Sequence, residues 1–183
     1  MESLKHPLRG SFLSLLDWKA TWIDNGRFPY TPSVSDVYAL QSVLQQTLDE
    51  GVAKIVARHQ VSTRATQAAV QALGLELWAE SVDIASTCCT AVKMPEGIDD
   101  ATLRNRMRNQ YGVMISGGYG SVAGKLFRLG HMGLSAHPTA VIAQIGVLER
   151  SLVDLGYKLE LGQGVGAALA EFAQWDDAAG SYR

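Results

Sequence analysis

The stretch GVMISGGYGSVAGKLFRLGHMG, residues 112–133, decides the fold of this chain. Two short apolar runs, VMIS and KLFRLGH, flank the glycine-rich segment GGYGSVAG. Short apolar runs bounded by glycines are typical of strands, and a glycine cluster between them is typical of a turn. We therefore predict two short strands joined by a flexible turn.

Arg128 lies between Phe127 and Leu129 in a run that has the pattern of a buried strand. An unpaired guanidinium in an apolar setting costs on the order of several kcal/mol, so something must neutralise it. Its five donors suit bidentate capture of a planar carboxylate. From spacing alone, a carboxylate of the protein and a carboxylate of a ligand both remain possible partners.

Outward from this stretch, the chain alternates between helical and strand periods. A long amphipathic helix is predicted with Thr31 as its N-cap and Pro32 at its first position, bent or divided at Gly51. Helical spacing continues to Gly74, a natural residue to follow a helix C-terminus. The further predicted elements are a strand at 75–79, a strand within 86–94, a helix at 99–112, a helix from Val141 to Leu155 and a moderately helical tail at 161–183.

This order of elements predicts an α+β fold, in which a small antiparallel-type sheet is covered by helices on one face. Residues 1–35 form a predicted irregular, aromatic-rich segment in which only SFLSLLD, residues 11–17, looks strand-like. Residues 36–183 form the predicted domain.

Composition excludes several classes of function. The 183 residues carry a formal charge of −2, so we expect neither nucleic acid nor a membrane surface as partner. The adjacent Cys88 and Cys89 would alternate across a strand and cannot pair with each other, and the four histidines are scattered. We therefore expect no disulfide and no metal site. Reduced cysteines and the absence of a signal-peptide pattern favour the cytoplasm or an organelle matrix.

Other motifs have structural interpretations. GYGSVA, residues 118–123, matches a dinucleotide fingerprint, but a strand is predicted to follow it instead of a helix. Three arginines of the 99–112 helix follow Asp99 and Asp100 closely, so we expect them to lie on a solvated helix face and not to form a basic binding patch. These are Arg104, Arg106 and Arg108. His59 is expected near a helix C-terminus, and His131 as a partly exposed residue at a strand end. An unrelated enzyme that uses His131 together with Arg128 is a minor alternative.

The segments RFPYTPSVSDVYALQSVLQQTLDEG (27–51), LGLEL (73–77) and GVMISGGYGSVAGKLFRLGHMG resemble the C-terminal small domain of class V pyridoxal-phosphate aminotransferases. The resemblance is to the alanine–glyoxylate and serine–glyoxylate (serine–pyruvate) branch. It implies that Arg128 binds the substrate carboxylate and that Thr31 contacts the cofactor phosphate in a neighbouring subunit. Phe28 stands where the family often has a tyrosine, so the resemblance leaves open whether the phosphate contact of that hydroxyl is replaced in this chain.

The resemblance also implies what the chain lacks. The family's Schiff-base lysine belongs to the N-terminal large domain, and none of the six lysines here has its setting. We expect the complete enzyme to use pyridoxal phosphate to move an amino group between alanine or serine and glyoxylate or pyruvate. This chain alone is expected to be inactive, to contain no catalytic residue and to bind no cofactor.

Two alternatives to a domain of a complete enzyme remain. One is a non-catalytic oligomerisation or binding module, and the other is one half of a split aminotransferase. In each case we expect a homo-oligomer or association with a large-domain chain. Self-association is predicted because four aromatic residues of the first segment would lack their usual cover. These are Trp18, Trp22, Phe28 and Tyr30.

Overall fold

The computed structural model describes residues 8–176 and 181–182. By its internal contacts the chain divides into two compact units, Met1–Asp49 and Glu50–Arg183. The predicted division between residues 35 and 36 concerns the domains of a larger fold, and it stays a prediction.

The first unit opens with a short helix, α1 (Leu15–Trp18), which continues as a π-helical turn, Lys19–Ile23. The strand predicted at SFLSLLD is therefore wrong. Ser14 caps α1, since its Oγ accepts a hydrogen bond from the N–H of Asp17 at 3.2 Å. The carboxylate of Asp17 in turn accepts hydrogen bonds from the N–H of Gly10 at 2.7 Å and from the hydroxyl of Tyr30 at 2.9 Å.

These contacts hold the aromatic residues of the first unit together. The rings of Trp22 and Phe28 stack with centroids 4.3 Å apart, and Phe12 meets Trp18 edge-on at 5.3 Å. The N–H of Gly10 is the main cause that lowers the pKa of Asp17 to about 2. The segment is thus an ordered cluster, although Trp22 and Phe28 remain exposed.

Helix α2 spans Val34–Glu50 and has no buried residue. Its first turn closes on Ser33, whose carbonyl accepts a hydrogen bond from the N–H of Val37 at 3.1 Å. The predicted N-cap role of Thr31 is therefore wrong, because Thr31 lies three residues before the first helical residue. The apolar side chains predicted to face a core are exposed, and they are Val37, Leu40, Leu44 and Leu48.

Gly51 divides the predicted long helix, as its place in the apolar pattern suggested. Its φ of 83° interrupts the helix, and α3 (Val52–Ala72) follows it. Gly74, with a φ of 71°, comes directly after the C-cap of α3, as predicted. The second unit then adds α4 (Asp100–Tyr111), α5 (Pro138–Asp154) and α6 (Gln163–Ala173).

Three strands of the second unit form an antiparallel sheet in the order β1-β3-β2. They are β1 (Cys89–Lys93), β2 (Ser116–Gly117) and β3 (Leu126–Gly130). Residues 75–79, predicted to be a strand, make only one bridge, between Leu77 and Val92. After α6, β4 (Trp175–Asp176) pairs antiparallel with β5 (Ser181–Tyr182) in the part predicted to be moderately helical.

One face of the three-stranded sheet packs on the helices, which confirms the α+β prediction. Phe127 and Leu129 of β3 are fully buried, together with Val92 of β1. They join apolar side chains of the helices in one core, among them Val70, Leu103, Met107, Ile145, Leu148 and Leu152. Because side chains alternate along a strand, Arg128 lies on the opposite, exposed face of the sheet.

A buried carboxylate positions the last helix of the core. Glu149 of α5 is 2% exposed and accepts hydrogen bonds from the N–H groups of Gly162 at 2.7 Å and Val165 at 2.9 Å. These donors lie at the start of α6, where backbone N–H groups lack helical partners. Gly164 is required beside it, because a Cβ there would come within 2.9 Å of the Glu149 Oε1 atom.

Two absences concern residues 8–176 and 181–182. Among these residues, no helix has both the length and the apolar character needed to span a membrane. The same residues contain no group of three histidine, cysteine or acidic side chains arranged to hold a metal ion.

Candidate functional site

Arg128 occupies the middle of the sheet on its open face. In β3 it lies opposite Ala91 of β1 on one side and Ser116 of β2 on the other. Its Nε donates a hydrogen bond to the carbonyl oxygen of Gly117 at 3.0 Å. Among the described residues its two terminal nitrogens, Nη1 and Nη2, make no hydrogen bond or ion pair. The guanidinium is therefore anchored at one nitrogen and open at the other two.

The carboxylate of Asp100 does not neutralise Arg128, because it lies against Gly117 on the side of the sheet that Gly117 shares with Phe127, opposite the Arg128 face. Asp100 lies so close to β2 that a Cβ on Gly117 would come within 2.9 Å of its Oδ2. Arg104 already binds this carboxylate with both ends of its fork, at 2.9 Å from Nε to Oδ1 and 2.8 Å from Nη2 to Oδ2. The sequence left two possible partners for Arg128, a carboxylate of the protein and a carboxylate of a ligand. The described residues do not supply the first of these.

Small residues surround the Arg128 side chain on the sheet face. Ala91 lies directly opposite, Gly130 lies two positions along the strand, and Gly117 supplies the anchoring carbonyl. Cys89 lies on the same face. Burial raises the pKa of its thiol, and the positive charge of the Arg128 guanidinium opposes that rise. The residues next to Arg128 on this face of β1 and β3 are therefore small.

The turn that carries Gly117 is set by glycine. A Cβ on Gly118 would lie 2.0 Å from the carbonyl oxygen of Val122, so no other residue fits there without moving the backbone. The N–H of Gly118 donates to the carbonyl of Leu126 at 3.0 Å, which closes the connection onto the start of β3. A short 3₁₀ turn, Gly120–Val122, and then β3 follow this glycine pair, so no helix is available for a dinucleotide phosphate, as predicted.

His131 follows β3 and is fully buried, so the prediction of a partly exposed histidine is wrong. Its Nε2 lies 2.8 Å from the hydroxyl of Thr90 on β1, and its Nδ1 lies 3.5 Å from the hydroxyl of Thr63 on α3. Burial is the main cause that lowers the pKa of His131 to about 4. The neutral ring thus ties the end of β3 to β1 and α3 below the sheet.

His59 and Arg58 hold the loop that follows His131. His59 lies in the middle of α3, not near its end as predicted, and its Nε2 accepts a hydrogen bond from the N–H of Gly133 at 3.0 Å. Nδ1 therefore carries the ring proton and donates to the carbonyl of Ile55 at 2.7 Å. Arg58 donates to the carbonyls of Gly133 and Ala136 at 2.6 and 2.9 Å.

The prediction that the three arginines of α4 share one solvated face is wrong. Arg106 binds Asp154 of α5 at 2.9 Å through Nε and at 2.5 Å through Nη2. The Asp154 side chain is only 7% exposed and also pairs with Arg150. The Arg106 and Arg150 guanidinium groups lower the pKa of Asp154, against the effect of burial. This cluster joins two helices and is structural.

Thr31 belongs to the first unit, where its side chain is exposed and makes no hydrogen bond to the described residues. It precedes the start of α2, whose first N–H groups lack helical acceptors. Phe28 offers no hydroxyl, and the hydroxyl of Tyr30 is already bonded to Asp17. A free hydroxyl before a helix N-terminus is an arrangement that suits a phosphate.

Comparison with known proteins shows which proteins the chain is similar to. No family model matches the chain. The pyridoxamine–pyruvate transaminase of Mesorhizobium japonicum is 44% identical over 162 residues, which cover 88% of this chain and 41% of that protein. The serine–glyoxylate aminotransferase of Methylorubrum extorquens is 37% identical over 154 residues, covering 83% and 38% respectively.

The fold of the chain also matches that of known aminotransferases. The crystal structure of pyridoxamine–pyruvate aminotransferase from Mesorhizobium loti superposes with a TM-score of 0.87 and 42% identity over 94% of this chain. The chain is therefore similar in sequence and fold to class V aminotransferases of the alanine/serine–glyoxylate type. It corresponds to the C-terminal part of these aminotransferases, and it spans about two-fifths of the length of the curated relatives it matches, 41% and 38% in the two cases above.

The sequence placed Arg128 in a strand and assigned its role by resemblance. It did not show the Gly117 carbonyl that anchors the side chain, since that contact depends on the path of a turn. Nor did it show that Thr90 and Thr63 accompany His131, because these residues come from different elements. The alternation of β3 contained the one available signal: a residue between buried Phe127 and Leu129 must face away from the core.

Proposed function

We propose that this chain supplies the substrate-carboxylate site of a pyridoxal-phosphate-dependent aminotransferase. The reaction moves an amino group between a small amino acid, alanine or serine, and a 2-oxo acid, glyoxylate or pyruvate. The observation that supports this proposal best is the guanidinium of Arg128, anchored by Gly117 and without a carboxylate partner among the described residues.

Arg128 acts by holding and orienting the acid group that both substrates share. Its Nε remains on the Gly117 carbonyl, and its two Nη atoms donate to the two carboxylate oxygens. Because the backbone of β3 is paired on both sides, the guanidinium has a defined position before the ligand arrives. The same contact serves the amino acid and the 2-oxo acid, which lets one site accept donor and acceptor in turn.

Thr31 is the residue of this chain proposed to hold the cofactor, through its phosphate. Its exposed hydroxyl and the N–H groups at the start of α2 fit an anion, whereas Phe28 contributes no hydrogen bond. When bound, pyridoxal phosphate supplies the electron sink for proton removal at the amino-bearing carbon. None of the six lysines of this chain has the sequence setting of the lysine that this chemistry needs, so the chain alone is expected to be inactive.

A second candidate donor is pyridoxamine, with pyruvate as acceptor. The relative with 44% identity bears both words in its name, as does the Mesorhizobium loti structure that superposes with a TM-score of 0.87. The missing hydroxyl at Phe28 favours a ligand with less phosphate contact. In both candidates the carboxylate is that of a 2-oxo acid or its amino acid, so Arg128 keeps the same role.

The partner proposed for the first unit is the part of the aminotransferase fold that this chain does not span. The exposed apolar side chains of α2 form a stripe that a soluble unit seldom leaves open. Without this partner, the chain is expected to self-associate. Both alternatives, a split enzyme and a non-catalytic module, predict association through this surface, and only the split enzyme predicts activity.

A complementation experiment tests the proposal. The chain is mixed with the remaining, N-terminal part of the Mesorhizobium japonicum transaminase, and deamination of alanine, serine or pyridoxamine is followed with pyruvate or glyoxylate as acceptor. We expect no turnover from either part alone and turnover from the mixture. Arg128→Lys should abolish most of it, because lysine lacks the fork, while Arg108→Lys, at an exposed arginine of α4, should not.

Two outcomes would contradict the proposal. Equal activity of the Arg128→Lys mixture and the wild-type mixture would remove Arg128 from the site. A complex that forms between the two parts but stays inactive, with both variants and with every donor, would favour the non-catalytic module.

A further inference from the structure

A cleft on the second unit lies apart from the residues around Arg128. It has a volume of about 400 Å³ and runs between one face of α3, the turn at residues 82–87 and the C-terminal part of α6. Its polar lining consists of Gln60, Thr63, Arg64, Gln67, Gln71, Asp83, Thr87 and Glu171. Arg128 does not line it, so the proposed aminotransferase role leaves this cleft unexplained.

Gln67 lines the cleft, and its amide has no hydrogen-bond partner among the described residues. The residue is only 7% exposed, yet its side chain makes no hydrogen bond to the described residues. A primary amide offers two donors and an acceptor, and buried polar groups in native proteins nearly always have partners. A ligand in the cleft would give the amide the partner that the described residues do not give it.

The neighbours of Gln67 present acceptors more than donors. The hydroxyl of Thr63 already directs its proton to the carbonyls of His59 and Thr87, both at 2.8 Å, so it offers only lone pairs. Asp83 and Glu171 add two carboxylates to the lining, and Arg64 adds one positive charge. An ammonium group, which has three donors and no acceptor, complements this lining in charge and in hydrogen bonding.

The geometry points to a binding site in this cleft for a small molecule that carries a primary ammonium group, a free amino acid or a short diamine. The Gln67 oxygen accepts from the ammonium, while Asp83 and Glu171 provide the favourable field. The volume is sufficient for a molecule of this size. Amide side chains of Gln60 and Gln71, on the same face of α3, provide further contacts for polar groups of the ligand.

Titration followed by ¹H–¹⁵N correlation spectra tests the site directly. The side-chain amide signal of Gln67, assigned by its absence in Gln67→Leu, is monitored while 1,4-diaminobutane, L-glutamine or succinate is added to the full chain. Succinate has the same four-carbon length as the diamine with the opposite charge. We expect saturable shifts with a Kd in the range of roughly 1 mM for an ammonium probe, and none with succinate. Comparing the titrations with 1,4-diaminobutane and with L-glutamine shows whether the site prefers a diamine or a free amino acid.

Variants decide whether the shift reports this cleft. Asp83→Asn, at an exposed residue, should weaken binding at least fivefold, and Gln67→Leu, followed through the backbone amide signals of α3, should do the same while the chain keeps its fold. Gln46→Leu, on exposed α2, is the matched control and should bind as the wild type does. Absence of a saturable shift with both ammonium probes, equal binding of succinate, or unchanged binding by Asp83→Asn would each overturn the inference.

Discussion

The buried histidine predicts how the stability of the second unit depends on pH. His131 is fully buried, and its pKa in the folded chain is about 4 against 6.5 for a free histidine. Between these values the unfolded chain binds a proton that the folded chain does not. The contribution of the neutral His131 to the free energy of unfolding is therefore complete above about pH 6.5 and is lost as the pH falls towards 4.

The size of the loss follows from the linkage relation. With folded and unfolded pKa values of about 4 and 6.5, the unfolding free energy falls by about 1.4 kcal/mol at pH 5.5 and about 2.5 kcal/mol at pH 4.5. Carboxylates contribute to acid unfolding as well, since the pKa values of Glu50, Glu76 and Asp99 are lowered in the folded chain. The difference between the wild type and His131→Gln isolates the histidine, because both share these carboxylates.

Urea unfolding at pH 7.5, 6.5, 5.5 and 4.5, read from the amide signals of β3, measures this difference. Glutamine retains a hydrogen-bonding group near Thr90 and has no proton to take up, so the variant should lose less stability than the wild type as the pH falls. A ring titration by NMR provides the direct control and should show His131 neutral at pH 5.5. Parallel stability curves for the two proteins, or a His131 ring that titrates near 6.5, would refute the reasoning.

Three further substitutions have expected outcomes. Arg128→Gln should weaken 2-oxo acid binding by about 10- to 100-fold, measured by titration, while thermal unfolding stays within about 0.5 kcal/mol of the wild type because the side chain is exposed. Gly118→Ala should destabilise by about 3 kcal/mol, since its Cβ would meet the Val122 carbonyl at 2.0 Å; Gly130→Ala, with nothing within 4 Å, is the control in the same urea assay. Glu149→Ala should cost about 3 kcal/mol in urea unfolding by removing the acceptor for two N–H groups of α6, and Glu149→Gln should cost less.

Features set by local chemistry could be predicted from the sequence. Gly51, Gly74 and Gly112 end or divide helices where expected, because each needs a positive φ. The β3 strand was found from its apolar run and flanking glycines. The helix predicted at 99–112, with Gly112 as its stop, is α4 (Asp100–Tyr111).

Features set by distant contacts could not be predicted. SFLSLLD has strand-like residues, but the Ser14 cap and the bonds of Asp17 to Gly10 and Tyr30 turn it into a helix start. Arg106 sits among exposed residues in sequence, and only the packing of α4 on α5 brings Asp154 to it. Such contacts join elements far apart in the chain, which no local pattern records.

The candidate site was predicted in part for the same reason. Alternation along β3 determines which face Arg128 occupies, and the family resemblance assigned its role. The absence of an acidic partner could not be read from the sequence, because only the structure shows that Asp100 binds Arg104 and lies on the side of the sheet opposite Arg128. Nothing in the pattern of α3 distinguished Gln67 from the other glutamines on its face.

The central claim is that the Arg128 guanidinium receives the carboxylate of a 2-oxo acid or amino acid. The most direct measurement follows the guanidinium signals of Arg128 by NMR while pyruvate is added to the chain. The account predicts a saturable change that starts from the Nη groups and leaves the Nε bond to Gly117 in place. Nη groups that do not respond at any pyruvate concentration, or that respond equally to an uncharged amide of the same size, would contradict it.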